Sequence, residues 1–176
     1  MLSTMLALSI QFTPVPSVAD TVGRLCGGLP MQVQHAILKM RGWKLVELSD
    51  LPADDRALWV SNHQNSCPGF SSADQKNGRS LIGVALIRRS PSGPTEEILL
   101  IMQRSSSGVS IRLRVGPQRV ISPFVTWAAR PGAFEDRFTG NSVKISDYSI
   151  IYEKMEASST QFCFQGGAIK RLVAAD

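Results

Sequence analysis

Arginine is the residue type in this chain whose number and spacing could do chemistry. Between Arg79 and Arg130 the sequence holds eight arginines, no lysine and only two acids, Glu96 and Glu97. This block therefore carries a charge of +6 in a chain whose net charge is +5. A guanidinium group is planar and can donate two parallel hydrogen bonds to a phosphate, which a lysine ammonium cannot do. The block predicts a site for an anionic partner.

Three predicted strands position these arginines. Leu81 to Arg89, Glu97 to Arg104 and Val109 to Val115 are separated by clusters of Ser, Gly and Pro, which is typical of an antiparallel meander. Because side chains alternate along a strand, we expect the arginines of the third strand to share one outer face, to which neighbouring strand ends could add others. The predicted anion-binding face consists of Arg88, Arg89, Arg104, Arg112, Arg114 and Arg119.

RNA is the partner that we favour for this face, and an acidic membrane surface is the second choice. Binding through phosphate contacts would read few bases and would depend strongly on salt. The sequence thus predicts a non-catalytic basic interaction protein, a profile shared by small viral matrix and accessory proteins. The alternatives are an enzyme that acts on a phosphorylated substrate and a self-assembling structural protein, whose arginines would pair with acids of a neighbouring copy.

The two halves of the chain differ in their hydrophobic pattern. From Pro30 to Arg41 apolar residues recur at helical spacing, and Gly42 can end the helix. The run Ile98 to Met102 is apolar on both faces, which predicts a central strand covered by that helix. We expect an α+β fold, with a helical N-terminal part packed on a mainly antiparallel five- or six-stranded sheet. Residues 29–176 would form this single domain and residues 1–28 an appendage or linker.

The rest of the chain gives weaker patterns. Residues 62–78 are rich in Asn, Ser, Gln and Gly and predict a long exposed loop. Further predicted strands are Trp43 to Leu48, Ala57 to Val60, Arg119 to Trp127, Val143 to Tyr152 and Gln161 to Ile169.

Histidine and cysteine are the other residue types in the chain that could act in catalysis or bind a metal. His63 and Cys67 are four residues apart, so a histidine could activate a thiol there, although a loop would not fix their geometry. The cysteines Cys26, Cys67 and Cys163 are odd in number and far apart, which argues against a disulfide framework and favours a reducing, cytoplasmic location over secretion. No ligand spacing or phosphate-binding loop indicates a metal or a cofactor, and we predict neither.

One segment resembles the start of a glycerolipid acyltransferase of the lysophosphatidate type. The resemblance rests on Gly42-Trp43-Lys44, Leu51-Pro52 and the segment from Trp59 to Gln64. It implies that His63 is the base that deprotonates the acceptor hydroxyl. In that family an aspartate five positions later orients the histidine, and here that position is Pro68.

Another segment, from Leu81 to Glu135, looks like the entry to a Nudix hydrolase. The resemblance rests on the strand from Ile98 to Arg104, on Trp127 and on Pro131-Gly132. It implies hydrolysis of a nucleoside diphosphate derivative with magnesium held by glutamates after the glycine. Phe138 stands where the first of these glutamates is expected, and the next glutamates are Glu153 and Glu156.

Overall fold

The protein is mostly β. The computed structural model describes residues 26–64, 66–89, 93–137, 139–155 and 157–174. Of these residues, 53% lie in strands and 15% in helices, and the strands form several antiparallel sheets. The predicted α+β class is therefore wrong. Residues 1–25 of the predicted appendage lie outside the described part of the chain.

The described part of the chain forms two short α-helices, a 3-10 turn and eleven strands. The first elements are α1 (Met31–Leu38), β1 (Lys44–Leu45), a 3-10 turn (Leu48–Asp50) and α2 (Ala53–Asn62). The strands that follow are β2 (Phe70–Asp74), β3 (Ser80–Arg89), β4 (Thr95–Ser105), β5 (Gly108–Val120), β6 (Val125–Ala129), β7 (Gly132–Glu135), β8 (Ser142–Ile145), β9 (Ser149–Lys154), β10 (Ser158–Gln165) and β11 (Ala168–Ala174). Among the described residues, neither helix is long and apolar enough to cross a membrane.

The strands build a sandwich of two antiparallel sheets. The first sheet has the order β1–β3–β4–β5, and β2 pairs with β3 beside β1. The second sheet has the order β11–β10–β9–β6, and β7 and β8 form a separate hairpin. The main core lies between the sheets and includes Leu81, Ile101, Val125, Ile150 and Phe162.

The second sheet explains why the fold-class prediction failed. β3 and β4 are apolar on both faces, as the sequence indicated, because both faces are covered. Leu81 and Leu99 face the second sheet, whereas Ile82 and Leu100 lie in another cluster with Val33 of α1. The four strands of the second sheet cover a face of the first sheet instead of extending its edge. A hydrophobic pattern shows that a face is buried but does not show what buries it.

Strands β3, β4 and β5 confirm the predicted meander. The predicted and observed strand ends agree within two residues, except that β5 continues to Val120. Other predictions were wrong locally. The run from Ala57 to Val60 is helical, and Asp54 and Asp55 lie in the first turn of this helix, where carboxylates are stabilising. The predicted loop 62–78 contains β2, whose small polar residues concealed its buried alternate positions. The last predicted strand is divided by a turn at Gly166 and Gly167, which have φ angles of 60° and 82°.

Candidate functional site

Three of the six predicted anion-binding arginines are paired with acids of the same molecule. Each pair joins residues that the sequence alone could not bring together, since strand register is not readable from it. The pairs are Arg88 Nη2 with Glu96 Oε2 at 2.5 Å, Arg89 Nη2 with Asp50 Oδ1 at 2.9 Å and Arg104 Nη2 with Asp74 Oδ1 at 3.7 Å. Arg88 also stacks over the ring of Trp43, 4.9 Å from its centroid. These guanidinium groups are already partly satisfied.

Arg112 and Arg114 do not share a face. The register of β4 and β5 shifts by one residue at Arg112, which is left without a partner in the ladder. Such a bulge interrupts the alternation of side chains. Arg112 lies over the ring of Phe164 in the second sheet, 5.9 Å from its centroid. Arg114 is the register partner of Leu100 and therefore lies on the opposite face of the first sheet, beside the cluster that contains α1.

Arg119 is also on β5 and is exposed. Its register partner is Glu96, which is paired with Arg88 on its other side. Within the described residues, Arg114 and Arg119 are the two members of the predicted set that make neither an ion pair nor a ring contact. The structure thus separates the six arginines into paired, stacked and free groups.

A cavity of about 410 Å³ lies at the other edge of the sandwich, where β2 and β6 meet the end of α2. His63 forms part of its wall, as do the ring of Trp127 and the disulfide between Cys26 and Cys67. Four hydroxyl groups also line it, those of Ser66, Ser71, Ser72 and Thr126. No Asp, Glu, Lys or Arg side chain lines the cavity within the described part of the chain.

His63 is held in place by the way α2 ends. Its backbone N–H donates to Trp59 O at 2.8 Å, and the N–H of Ser66 donates to His63 O at 3.0 Å. The Trp59 indole in turn donates to Ser66 O at 3.1 Å, which fixes the turn after the helix. The imidazole ring then stacks on Trp59 at 4.2 Å and lies 5.2 Å from the ring of Trp127.

This environment disfavours the charged form of the imidazole. Burial lowers the pKa of His63, and the carboxylate of Glu153 opposes this effect only in part. Glu153 itself accepts a hydrogen bond from Trp127 Nε1 at 2.8 Å. A neutral imidazole has one ring N–H that donates and one ring nitrogen that accepts. His63 makes no side-chain hydrogen bond to the described residues, so that both nitrogens are available to a ligand.

The disulfide between Cys26 and Cys67 differs from the expectation drawn from the sequence. The two sulfurs are bonded across a sequence separation of 41 residues, and Cys163 is free and buried. The possible nucleophilic pair of His63 with Cys67 is therefore absent, because Cys67 has no thiol. An odd number of distant cysteines gave no sign that two of them meet in space. The cytoplasmic location stays a prediction.

The hydroxyl wall joins the two sheets. Ser71 Oγ on β2 and Thr126 Oγ1 on β6 are 2.7 Å apart and share a hydrogen bond. The backbone N–H of Thr126 donates to Pro68 O at 2.7 Å, so β6 is fixed against the segment that precedes β2. Sequence analysis missed these residues, since serine and threonine in a predicted loop carry no distinctive signal.

The residues that carry the two family resemblances do not form a common site among the described residues. Pro68 makes the backbone contact just described instead of orienting His63. Glu135 is exposed on β7, Glu153 is on β9, and Glu156 lies outside the described residues. No group of three or more His, Cys, Asp or Glu side chains suited to a metal ion occurs in the described ranges.

Comparison of the chain with protein-family models, curated proteins and solved structures finds no match.

Proposed function

We propose that this protein binds a small, uncharged polar molecule with a ring in the cavity beside His63. The observation that carries the proposal is that the imidazole of His63, whose nitrogens make no hydrogen bond to the described residues, lies in the cavity wall between two tryptophans. The volume of about 410 Å³ falls in the range of small-molecule sites.

The lining determines the chemical class of the ligand. Four hydroxyl groups and the imidazole offer hydrogen bonds, while Leu29, Phe70 and Trp127 offer apolar contacts. A charged ligand would lose its hydration in this cavity without meeting an opposite charge. A neutral sugar or nucleoside has both the hydroxyl groups and the ring face that such walls complement.

The same geometry favours binding over nucleophilic catalysis. Ser71 and Thr126 are hydrogen-bonded to each other, and neither is bonded to His63. Cys67 is oxidised. A hydroxyl nucleophile needs a base within hydrogen-bonding reach, and the described residues of this cavity contain no such pair.

The proposal is tested by titrating the protein with neutral monosaccharides and nucleosides while tryptophan fluorescence and two-dimensional NMR spectra are recorded. A member of this panel should shift the resonances of Trp127. His63→Ala should weaken its binding about tenfold, the loss of roughly one hydrogen bond. The matched control is His35→Ala, which removes the exposed histidine of α1. Equal affinity of the His63→Ala variant and the wild type would contradict the proposal, as would a panel with no binder.

A second function is proposed for Arg114 and Arg119. Both are exposed on β5, an edge strand, and neither makes an ion pair with the described residues. We propose that they contact an anionic polymer or surface, RNA first and acidic lipid second. The excess positive charge of residues 79–130 supports this proposal, because it would attract a polyanion over a distance.

A further inference from the structure

A second cavity lies at the edge of the sandwich opposite the His63 cavity. β5 ends the order of the first sheet and β11 ends that of the second, so the space between the sheets is open along this side. A groove of about 250 Å³ occupies it. Val115 of β5 and Val173 of β11 form its two sides.

Part of the groove lining is apolar, beside the hydroxyl residues Ser158, Ser159 and Thr160. Phe162 is fully buried at its base, and Phe124 stacks on Tyr152 with a centroid distance of 4.6 Å. Together with the two valines, these side chains form walls that a short hydrocarbon segment can fill. Burial of such a segment is favourable in proportion to the apolar area removed from water.

A cation stands on the inner face at the edge strand. Arg171 lines the groove and is the register partner of Phe162. Paired residues of antiparallel strands project to the same face, so the arginine is directed to the inter-sheet side although it is exposed. It makes no ion pair with the described residues. Arg112 lies over the ring of Phe164, which is on β10 like Phe162, and so brings a second guanidinium group to this edge.

Besides Arg171, the groove lining also includes polar groups, which carry little charge at neutral pH. Gln118 Nε2 donates to Tyr152 OH at 3.2 Å, and this hydroxyl is hydrogen-bonded to the buried carboxyl group of Glu97. Glu97 does not line the groove, and burial raises its pKa to about 8, so that it is mostly protonated at pH 7. An anion in the groove is therefore attracted by Arg171 without strong repulsion from Glu97.

From these contacts we propose that the groove between β5 and β11 binds a free carboxylic acid of short to medium chain length. Its hydrocarbon part fills the space between Val115, Phe162 and Val173, and its carboxylate is bound by Arg171. This site is independent of the cavity beside His63, since the two lie at opposite edges of the sandwich.

The test uses the full chain and octanoate as the probe, with affinity measured by calorimetry and the site located by NMR. Octanoate should shift the resonances of Val115 and Val173. Arg171→Gln should weaken its binding at least tenfold, as expected for the loss of a charged hydrogen bond, and Arg171→Lys should retain part of the affinity. Val115→Trp should abolish binding by filling the groove.

Two controls separate the site from general attraction to a basic protein. Arg130→Gln removes an exposed arginine elsewhere and should leave octanoate affinity unchanged. Octanol should bind the wild type more weakly than octanoate does, and Arg171→Gln should not alter its affinity. The proposal is overturned by absence of octanoate binding, by equal affinity of the wild type and the folded Arg171→Gln variant, or by octanoate shifts at His63 instead of at the groove.

Discussion

Glu97 is the residue whose environment departs furthest from that of an ordinary surface carboxyl group. It is completely buried, and both of its oxygens lie 3.1 Å from the backbone N–H of Phe124. Burial raises the pKa of Glu97 from its ordinary value of 4.5 to about 8, and these hydrogen bonds reduce the effect only in part. The carboxyl group of Glu97 is therefore mostly neutral at pH 7, and it stabilises the turn between β5 and β6 by accepting the N–H of Phe124.

This raised pKa predicts a pH-dependent stability. The unfolded chain releases the Glu97 proton near pH 4.5, whereas the folded protein keeps it until about pH 8. The folded state binds more protons between these values, so the contribution of Glu97 to the unfolding free energy falls as the pH rises from 4.5 to 8. The expected loss is roughly 4 kcal/mol, measured by urea unfolding at pH 5 and at pH 8.5.

The matched variant is Glu97→Gln, which keeps the shape and can still accept the N–H of Phe124. Its unfolding free energy should exceed that of the wild type at pH 8.5, and the excess should disappear near pH 5. His63 titrates in both proteins, so its contribution cancels from this difference. A pH-independent difference between the two proteins would show that Glu97 is not the titrating group.

The contact between the two sheets depends on a glycine in β3. A Cβ atom built on Gly83 would lie 2.5 Å from Thr126 Oγ1 and 2.6 Å from Ile150 Cγ2, and both of these atoms belong to the second sheet. Real Cβ atoms essentially never approach so closely, so either the sheets or the side chains must move. The close approach of β3 to β6 and β9 therefore requires the absence of a side chain at position 83.

Gly83→Ala is expected to reduce the unfolding free energy by about 1 to 3 kcal/mol, the cost of overpacking a core. Urea unfolding monitored by circular dichroism measures this change. Gly132→Ala is the control in another strand, since a Cβ there would meet Phe134 at an ordinary 3.4 Å. Equal losses of unfolding free energy in the two variants would show that the approach of the two sheets does not require glycine at position 83.

The strands show which parts of the fold could be predicted from the sequence. Alternation and turn clusters were sufficient for β3, β4 and β5, because these signals act within a few residues. The bulge at Arg112 was not readable, and a shift of one residue moved this arginine to the face opposite Arg114. Contacts between distant segments, such as the disulfide of Cys26 with Cys67, leave no local pattern. The predicted arginine face was therefore divided, whereas the cavity beside His63 was not foreseen.

At the scale of the whole molecule, the sandwich has two edges with different chemistry. The edge formed by β2 and β6 contains the cavity beside His63, which no described charged side chain lines. The edge formed by β5 and β11 contains the groove with Arg171, and β5 also presents Arg114 and Arg119. Arg114, Arg119 and Arg171 therefore place part of the positive charge of the chain at the second edge, where an anion would be attracted.

Binding to labelled single-stranded RNA across a salt series tests the proposed role of the two free arginines. Each neutralised phosphate of a single strand contributes about −0.7 to the slope of log affinity against log salt. Arg114→Ala combined with Arg119→Ala should therefore make the slope less steep by about 1.4 and should weaken binding at low salt. Vesicles with anionic lipid, measured beside the RNA, examine the second choice of partner.

The control is Arg79→Ala combined with Arg130→Ala, which removes the same charge from two other exposed arginines of the basic block. A specific role for β5 predicts that this variant keeps most of the slope of the wild type. Equal losses in the two double variants would mean that the RNA responds to net charge alone, and β5 would then not be a binding site. Because the two variants have the same net charge, the difference between their slopes measures the effect of position alone.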